Sequence, residues 1–248
     1  MKNGNLKYRG IFVTATDTDV GKTAIAVGLV SFLSRLGFNV GVMKPVASGA
    51  VRGNSGQLIS TDVTRLVEAS LSTDPISWVN PYCFRAAVAP SLAAEMENVQ
   101  IKMEKILDCF QKISGHHDII VVEGAGGILT PIFKNLLVVD VIKVLQLPTV
   151  IVSKAGLGAI NHTTMTYECL KSRGLECLGF FLNRYPKSPN LPEKTNARII
   201  TALTKVPYLG SIPDVGDQFS FKDLSEKFIN SVNKKLLCQV LCREEILS

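Results

Sequence analysis

The sequence predicts an α/β fold, a mostly parallel sheet flanked by helices on both faces. Three observations lead there. Strand-like and helix-like segments alternate along the chain. The run "DIIVVEGAGG" (residues 118–127) opens with the continuous apolar stretch that a parallel strand buried on both faces requires. The stretch "IFVTATDTDVGKTAIAVGLVSFL" passes from strand through a small-residue loop into an apolar helix.

Taken in order, residues 8–16 are β-branched and apolar and read as the first strand. Residues 22–36 read as a helix closed by Gly37, and residues 39–46 as a second strand. The middle is less regular, with helices expected over 61–69 and 99–113. After the central apolar run come a helix over 136–145, a strand over 149–154, a helix over 160–173 and a strand over 177–183. A helix over 193–203, a strand over 208–213 and one final helix over 221–241 complete the chain. Crossovers of this length are right-handed. No repeat, low-complexity tract or Pro/Gly/Ser-rich linker divides the 248 residues. One domain is therefore expected over 1–248, with a core over about 8–215 and a C-terminal helix over about 221–242.

Composition narrows the class. With 46% apolar and 19% charged residues the chain can bury a substantial core. The net charge of +6 is scattered among acids, so no nucleic-acid partner is expected, and a phosphate-bearing ligand accounts for the excess as well. The N-terminal residues hold no apolar signal region, and no window reaches the length of a membrane span. A cytoplasmic protein is the expectation. Cys83, Cys109, Cys169, Cys177, Cys238 and Cys242 lie far apart except the last pair, which has no second Cys or His pair to complete a zinc site. They are expected as buried, reduced thiols. His162 reads as a structural residue, and His116 and His117 as a solvent-exposed loop.

Residues 14–23 read "TATDTDVGKT". The common phosphate-binding loop, G-x-x-x-x-G-K-[ST], asks for Gly at position 16, where this chain has Thr. A leading strand and a following helix make a chance "GKT" untenable, so a P-loop NTPase fold is expected. Backbone N–H groups of Asp17, Thr18, Asp19, Val20, Gly21, Lys22, Thr23 and Ala24 would cradle phosphate oxygens at the positive end of the helix dipole. Lys22 would bring a point charge to the β- and γ-phosphates of a nucleotide, and the Thr23 hydroxyl would ligate Mg2+.

In the loop form G-T-D-T-x-V-G-K-[ST] the leading small residue lies one position earlier, and Ala15 fills it here. With this loop the sequence resembles the dethiobiotin synthetases, ATP-dependent carboxylases of biotin synthesis. "KPVASG" (residues 44–49), "NPYCF" (80–84), "VEGAGG" (122–127), "GLGAINH" (156–162), Asn183 and "GSIP" (210–213) stand in that family's order as well. Each segment is weak alone; the ordered set is specific.

The resemblance implies ring closure of 7,8-diaminononanoate with CO2 and ATP. One amine captures CO2 as a carbamate, the carbamate oxygen attacks the γ-phosphate, and the second amine displaces phosphate from the mixed anhydride. The substrate supplies both nucleophiles, so the site must supply alignment and charge neutralisation. Hard oxygen ligands suit Mg2+, and Thr23, Asp62 and Glu123 are the candidates. Asp62 in "TDVT" reads by itself as a helix N-cap with Thr61, and the resemblance assigns it to the metal instead. Glu123 follows four apolar residues, where a carboxylate is costly unless paired or metal-bound.

Lys44, held extended by Pro45, would join Lys22 and Thr18 as the catalytic set; an exposed strand-end lysine is the plainer reading of Lys44. Thr18, Ser48 and Gly126 would meet the carbamate and amines, and Asp19, where the family often has Glu, an ammonium group. Asn183, with Gly210, Ile212 and Pro213, would hold the adenine, and Glu123 and Gly124 complete the nucleotide contacts. Asn183 alone reads as a turn residue. Gly158 and Asn161 stand at the start of a helix whose N-terminus suits a carboxylate, and Asn161 reads equally as a helix cap. In the family that segment comes from the neighbouring subunit, so a homodimer is implied.

Two other classes share such an opening. Nucleotide switches of the partitioning or septum-site kind carry an early signature lysine in the loop, where this chain has Asp17. They end in a basic amphipathic helix, whereas this tail carries Glu244 and Glu245. Amide-forming relatives need a glutaminase domain, for which the chain has no room.

Overall fold

In the computed structural model, which describes residues 6–53, 56–216 and 220–242, six strands build one sheet. They are β1 (Gly10–Ala15), β2 (Val40–Met43), β3 (Ile119–Glu123), β4 (Thr149–Lys154), β5 (Cys177–Tyr185) and β6 (Tyr208–Pro213). Their order is β6-β5-β4-β1-β3-β2, and every neighbouring pair is parallel. The alternation along each strand explains two cores. Ile11, Val13, Val121 and Val152 face one side, while Phe12, Ile120, Val122 and Ile151 face the other. On the first side lie α1 (Lys22–Arg35), α2 (Thr61–Ser70), α7 (Phe221–Ser231) and α8 (Lys234–Leu241). On the second lie α3 (Met103–Ser114), α4 (Val138–Leu145), α5 (Ala159–Lys171) and α6 (Leu191–Thr204).

Helix α1 is buried on every side from Ala24 to Leu33, between the sheet, α2 and α7, and is apolar there except for Ser31. Gly28 permits the closest of these approaches: a Cβ there would lie 2.1 Å from the Phe228 ring. The C-terminal ends of three strands converge beside it, with Val13 in register with Glu123 and Met43 with Val122. In such sheets that edge is where ligands bind.

The structure corrects several boundaries. The helix expected from 99 starts at Met103, because a separate short helix, Pro90–Met96, ends first at Asn98 in the left-handed region (φ 52°). The Val99 N–H then closes that turn on the Ala94 carbonyl at 2.8 Å. Residues Leu136–Leu137 pair with Pro131–Phe133 as an antiparallel ribbon, so α4 starts at Val138. The tail is two helices. Val232 is extended between them and bridges Gly210, and the Asn233 side chain caps α8 by accepting from the Leu236 N–H at 3.1 Å. Glu244 and Glu245 lie outside the described residues.

His117 is also reassigned. Its side chain is 8% exposed, with Nε2 2.7 Å from Asp74 Oδ2 and Nδ1 2.8 Å from Asn39 Oδ1, so it joins the edge opposite the site. His116 is exposed as expected, whereas His162, expected as structural, is exposed on α5. The six cysteines are free thiols; Cys109, Cys238 and Cys242 are buried and the other three half-buried. No helix among the described residues is long and apolar enough to cross a membrane.

Candidate active site

The loop between β1 and α1 turns at Gly21 (φ 90°, ψ 39°), which is the N-cap of α1. Only glycine enters that region readily. A Cβ there would also fall 1.9 Å from the Asn183 amide nitrogen. No side chain caps α1 and its first turn holds no acid, so its N-terminal N–H groups are left for an anion. Asn183, buried at the end of β5, donates from Nδ2 to the Val20 carbonyl at 2.9 Å and keeps the loop in this shape. Its Oδ1 is buried without a partner among the described residues.

Four side chains interlock behind the loop. Thr23 Oγ1, in the first turn of α1, lies 3.0 Å from Asp62 Oδ1 and 2.9 Å from Glu123 Oε1. Lys44 Nζ donates to Asp62 Oδ2 and, at 2.7 Å, to Glu123 Oε1. Glu123 Oε2 is buried with no hydrogen-bond partner among the described residues. The alternatives left open by the sequence are thereby resolved for two residues. Ser60, not Asp62, is the N-cap position of α2, and Asp62 turns to Thr23 and Lys44. Lys44 is no exposed strand end, with its side chain only 6% exposed.

Lys44 is held from both sides of the backbone. Its N–H donates to the Val79 carbonyl at 2.8 Å, and its carbonyl accepts from Asn80 Nδ2 at 2.7 Å. Asn80 is buried and also bonds the Tyr82 carbonyl at 2.9 Å, which explains what the "NPYCF" segment does structurally. Lys22 Nζ lies 3.2 Å from the Asp17 carbonyl and shares the site with Lys44.

Burial sets the electrostatics. It pulls the Lys22 ammonium down to about 8, a pull opposed by Glu123 and reinforced by Lys44. Lys44 is buried too, but Glu123 and Asp62 outweigh that cost and hold its proton above the ordinary lysine range. Burial pushes the Glu123 carboxyl up against the attraction of Lys44. Asp62 goes the other way: Lys44 and the Thr23 hydroxyl overcome its burial and hold it below the usual carboxylate range.

These groups line a cavity of about 770 Å³ that opens beside the loop. Thr18, Asp19, Gly21, Lys22, Thr23, Ala24, Lys44, Ser48, Asp62, Glu123, Gly126 and Asn183 all face it. Other anticipated residues do not. The backbone at Asp17 and Val20 supports the loop through carbonyls taken by Lys22 and Asn183. Gly124 is packed behind, where a Cβ would lie 2.9 Å from the Phe12 ring. Gly210 is pinned against Ser231 and Val232, the Ile212 side chain is fully buried in the core, and Pro213 is half-buried on β6. The following residues, Asp214, Val215 and Gly216, reach the cavity instead. Gly158 and Asn161 lie in a second cavity of about 420 Å³, with Leu157, Ile160, Thr164, Asn196 and Leu203.

Sequence reasoning missed several cavity residues: Arg65, Ala87, Val88, Thr130 and Arg184. Arg184 could have been found beside Asn183; its Nε donates to the Asp19 carbonyl at 3.2 Å. The others carry no local signal.

The donor set suits a hard divalent cation. It offers a hydroxyl and two carboxylates from three different elements, with one carboxylate oxygen still without a partner. Together with two lysines and an uncapped helix N-terminus, it can bind a polyanion and neutralise charge developing on it.

Comparisons with known proteins give the family and the fold. Residues 9–218 match the AAA domain family. The ATP-dependent dethiobiotin synthetase BioD of Bacillus subtilis (strain 168) is 40% identical over 209 residues, spanning 84% of this chain and 89% of that protein. Its counterparts in Clostridium novyi and Nitrosopumilus maritimus are 36% and 37% identical, each spanning 92% of this chain and 96% of the relative. Among solved structures, the MinC:MinD cell division complex of Aquifex aeolicus has a TM-score of 0.52 at 18% identity, covering 89% of this chain and 86% of that one. A ParA family ATPase from Chlorobium tepidum has a TM-score of 0.51 at 17% identity, covering 98% and 95%. Likeness at that level is one of fold, the P-loop NTPase α/β fold. The identity to the synthetases is higher and spans most of both chains, and on it the chain belongs to the ATP-dependent dethiobiotin synthetase family.

Proposed function

We propose that this chain acts as a single functional domain, an ATP- and Mg2+-dependent dethiobiotin synthetase that closes the ureido ring of dethiobiotin from 7,8-diaminononanoate and CO2, releasing ADP and phosphate. The observation that carries the reading is the convergence of Lys22 and Lys44 on one cavity with Thr23, Asp62 and Glu123. A site with two buried lysines and no activated protein nucleophile suits a reaction whose substrate brings both nucleophiles.

Backbone N–H groups from Thr18 to Thr23 would hold the triphosphate at the start of α1, with Lys22 against its outer phosphates. Thr23, Asp62 and Glu123 would hold Mg2+, which supplies charge neutralisation across the phosphate oxygens. Lys44 would stabilise the carbamate and the phosphoryl group as its oxygens gain charge. Ser48, Thr18 and Gly126 would orient the amine-bearing end, and Asp19 an ammonium group. The buried Asn183 Oδ1, with Nδ2 already committed to Val20, has room for one donor, such as the amino group of adenine.

A homodimer would bring Gly158 and Asn161 of a neighbouring subunit to the carboxylate end of the diamine. Leu157, 91% exposed, and Leu203, 59% exposed, border these residues and favour a covered face. Operation in the cytoplasm fits the supply of ATP and the reduced thiols.

Phosphate release from ATP, measured with Mg2+ and bicarbonate in the presence and absence of 7,8-diaminononanoate, tests the reading. Release that requires the diamine is expected. Slow hydrolysis indifferent to the diamine would return the chain to the nucleotide switches whose fold it shares.

A further inference from the structure

Lys44 stands where the charge of a cation is wanted. Its ammonium bridges Asp62 and Glu123, the same two carboxylates whose other contacts run to Thr23. The four groups form a closed ring, and the ammonium uses one oxygen of each carboxylate. Glu123 Oε2, fully buried, is left over. A buried carboxylate oxygen with no donor is costly, so the ring is incomplete as it stands. Within the ring one ammonium, Lys44, faces two carboxylates, Asp62 and Glu123, and Lys22 stands beside it in the same cavity. A divalent cation added beside an unmoved Lys44 would meet an uncompensated positive charge in a buried place.

We propose that Lys44 is a built-in competitor of the divalent cation: it neutralises Asp62 and Glu123 while they hold no metal, and it leaves them when a divalent cation takes them, free then to pair with an anion in the cavity. The inference rests on the metal site proposed above and adds an order of events to it. An anion must be present to receive Lys44, so cation and polyphosphate bind with positive coupling. A backbone anchored at both ends, through Val79 and Asn80, confines the motion to the four-carbon side chain.

The test is binding of Mn2+ to the intact protein without nucleotide or diamine, followed by electron paramagnetic resonance of the free ion. Removing the competitor in Lys44→Met is expected to tighten Mn2+ binding at least tenfold, although turnover is lost. Asp62→Asn, which removes a ligand, is expected to weaken it. Equal or weaker Mn2+ binding in folded Lys44→Met would overturn the proposal.

Should Lys44→Met fail to fold, the unmodified protein gives a second readout. Acetylation of Lys44 by acetic anhydride, quantified by peptide mass spectrometry, is expected to speed up several-fold on adding Mg2+ and a non-hydrolysable ATP analogue, relative to the analogue alone. An unchanged rate would equally overturn it. Neither readout needs the diamine, so a failed synthetase assay and a failed displacement are separate results.

Discussion

Lys44 Nζ lies 2.7 Å from Glu123 Oε1, and the two residues come from the ends of separate strands, β2 and β3, 79 positions apart in the chain. Each is unaffordable alone at this burial, the Lys44 side chain 6% exposed and that of Glu123 1%. Their pairing makes the site a unit in which each charge depends on its neighbours.

Glu123→Gln keeps the shape of the side chain but withdraws a negative charge from the candidate cation site. The Mg2+ concentration for half-maximal turnover is expected to rise roughly tenfold or more, as loss of a metal-site group commonly gives. A Mg2+ titration superimposing on that of the unmodified protein would make Glu123 a structural carboxylate.

Lys22 sits at about 8 against an ordinary 10.5, with burial the main cause. The sign follows from proton counting. Between those two values the unfolded chain holds a proton that the folded one has released, so Lys22 makes stability rise with pH across that window. Below pH 8 both states carry the charge and the folded one bears its burial cost, on the order of 3 kcal/mol. Ligand-free Lys22→Met is therefore expected to melt higher than the parent at pH 7, with the gap shrinking as pH rises from 8 toward 10.5. Its affinity for ATP is expected to fall. A gap that stays flat or widens with pH would refute the cause assigned here.

Gly21→Ala is expected to fold and to lose nucleotide binding. The new methyl strains a backbone at φ 90° and collides with the Asn183 amide at 1.9 Å, so the loop and Asn183 must move apart. Positive φ for a residue with a side chain costs about 1–2 kcal/mol before the collision is counted. Calorimetric titration with ATP reads the result directly; affinity within twofold of the parent would show the loop shape to be dispensable.

Leu157→Arg places a charge on the face that bears Gly158 and Asn161. Sedimentation of the parent is expected to give a dimer and that of the variant a monomer, with KM for the diamine raised more than KM for ATP. A monomeric but fully active variant would separate the second cavity from the reaction.

Local patterns made the frame of this molecule legible. β1, the loop and α1 follow from one apolar run, one "GKT" and one helix, and β3 from four consecutive apolar residues before Glu123. Between Lys44 and Met103 α2 was legible, expected over 61–69 and found at Thr61–Ser70, but the rest was opaque for a physical reason. Its strands are two residues long and its two short helices are fixed by tertiary bonds, such as Asn80 holding the Lys44 carbonyl, rather than by periodicity. The break between α7 and α8 was hidden likewise. Val232 leaves the helix to bridge Gly210, a partner 22 positions away. Of the site, the residues within a loop or family-like motif were readable, whereas Arg65, Arg184 and the apolar Ala87 and Val88 lie outside any such motif and look like any others.

The central claim is that the lysines of this cavity activate a carbamate made from the diamine. Entry of 13C from labelled bicarbonate into an acid-stable product, measured by mass spectrometry with ATP, Mg2+ and 7,8-diaminononanoate, tests it most directly. The account expects the label in a cyclic urea for the unmodified protein, and a rate lower by roughly 10²–10³ for folded Lys44→Ala, the cost of one lost transition-state contact. Absence of label, or near-parental incorporation by Lys44→Ala, would contradict it.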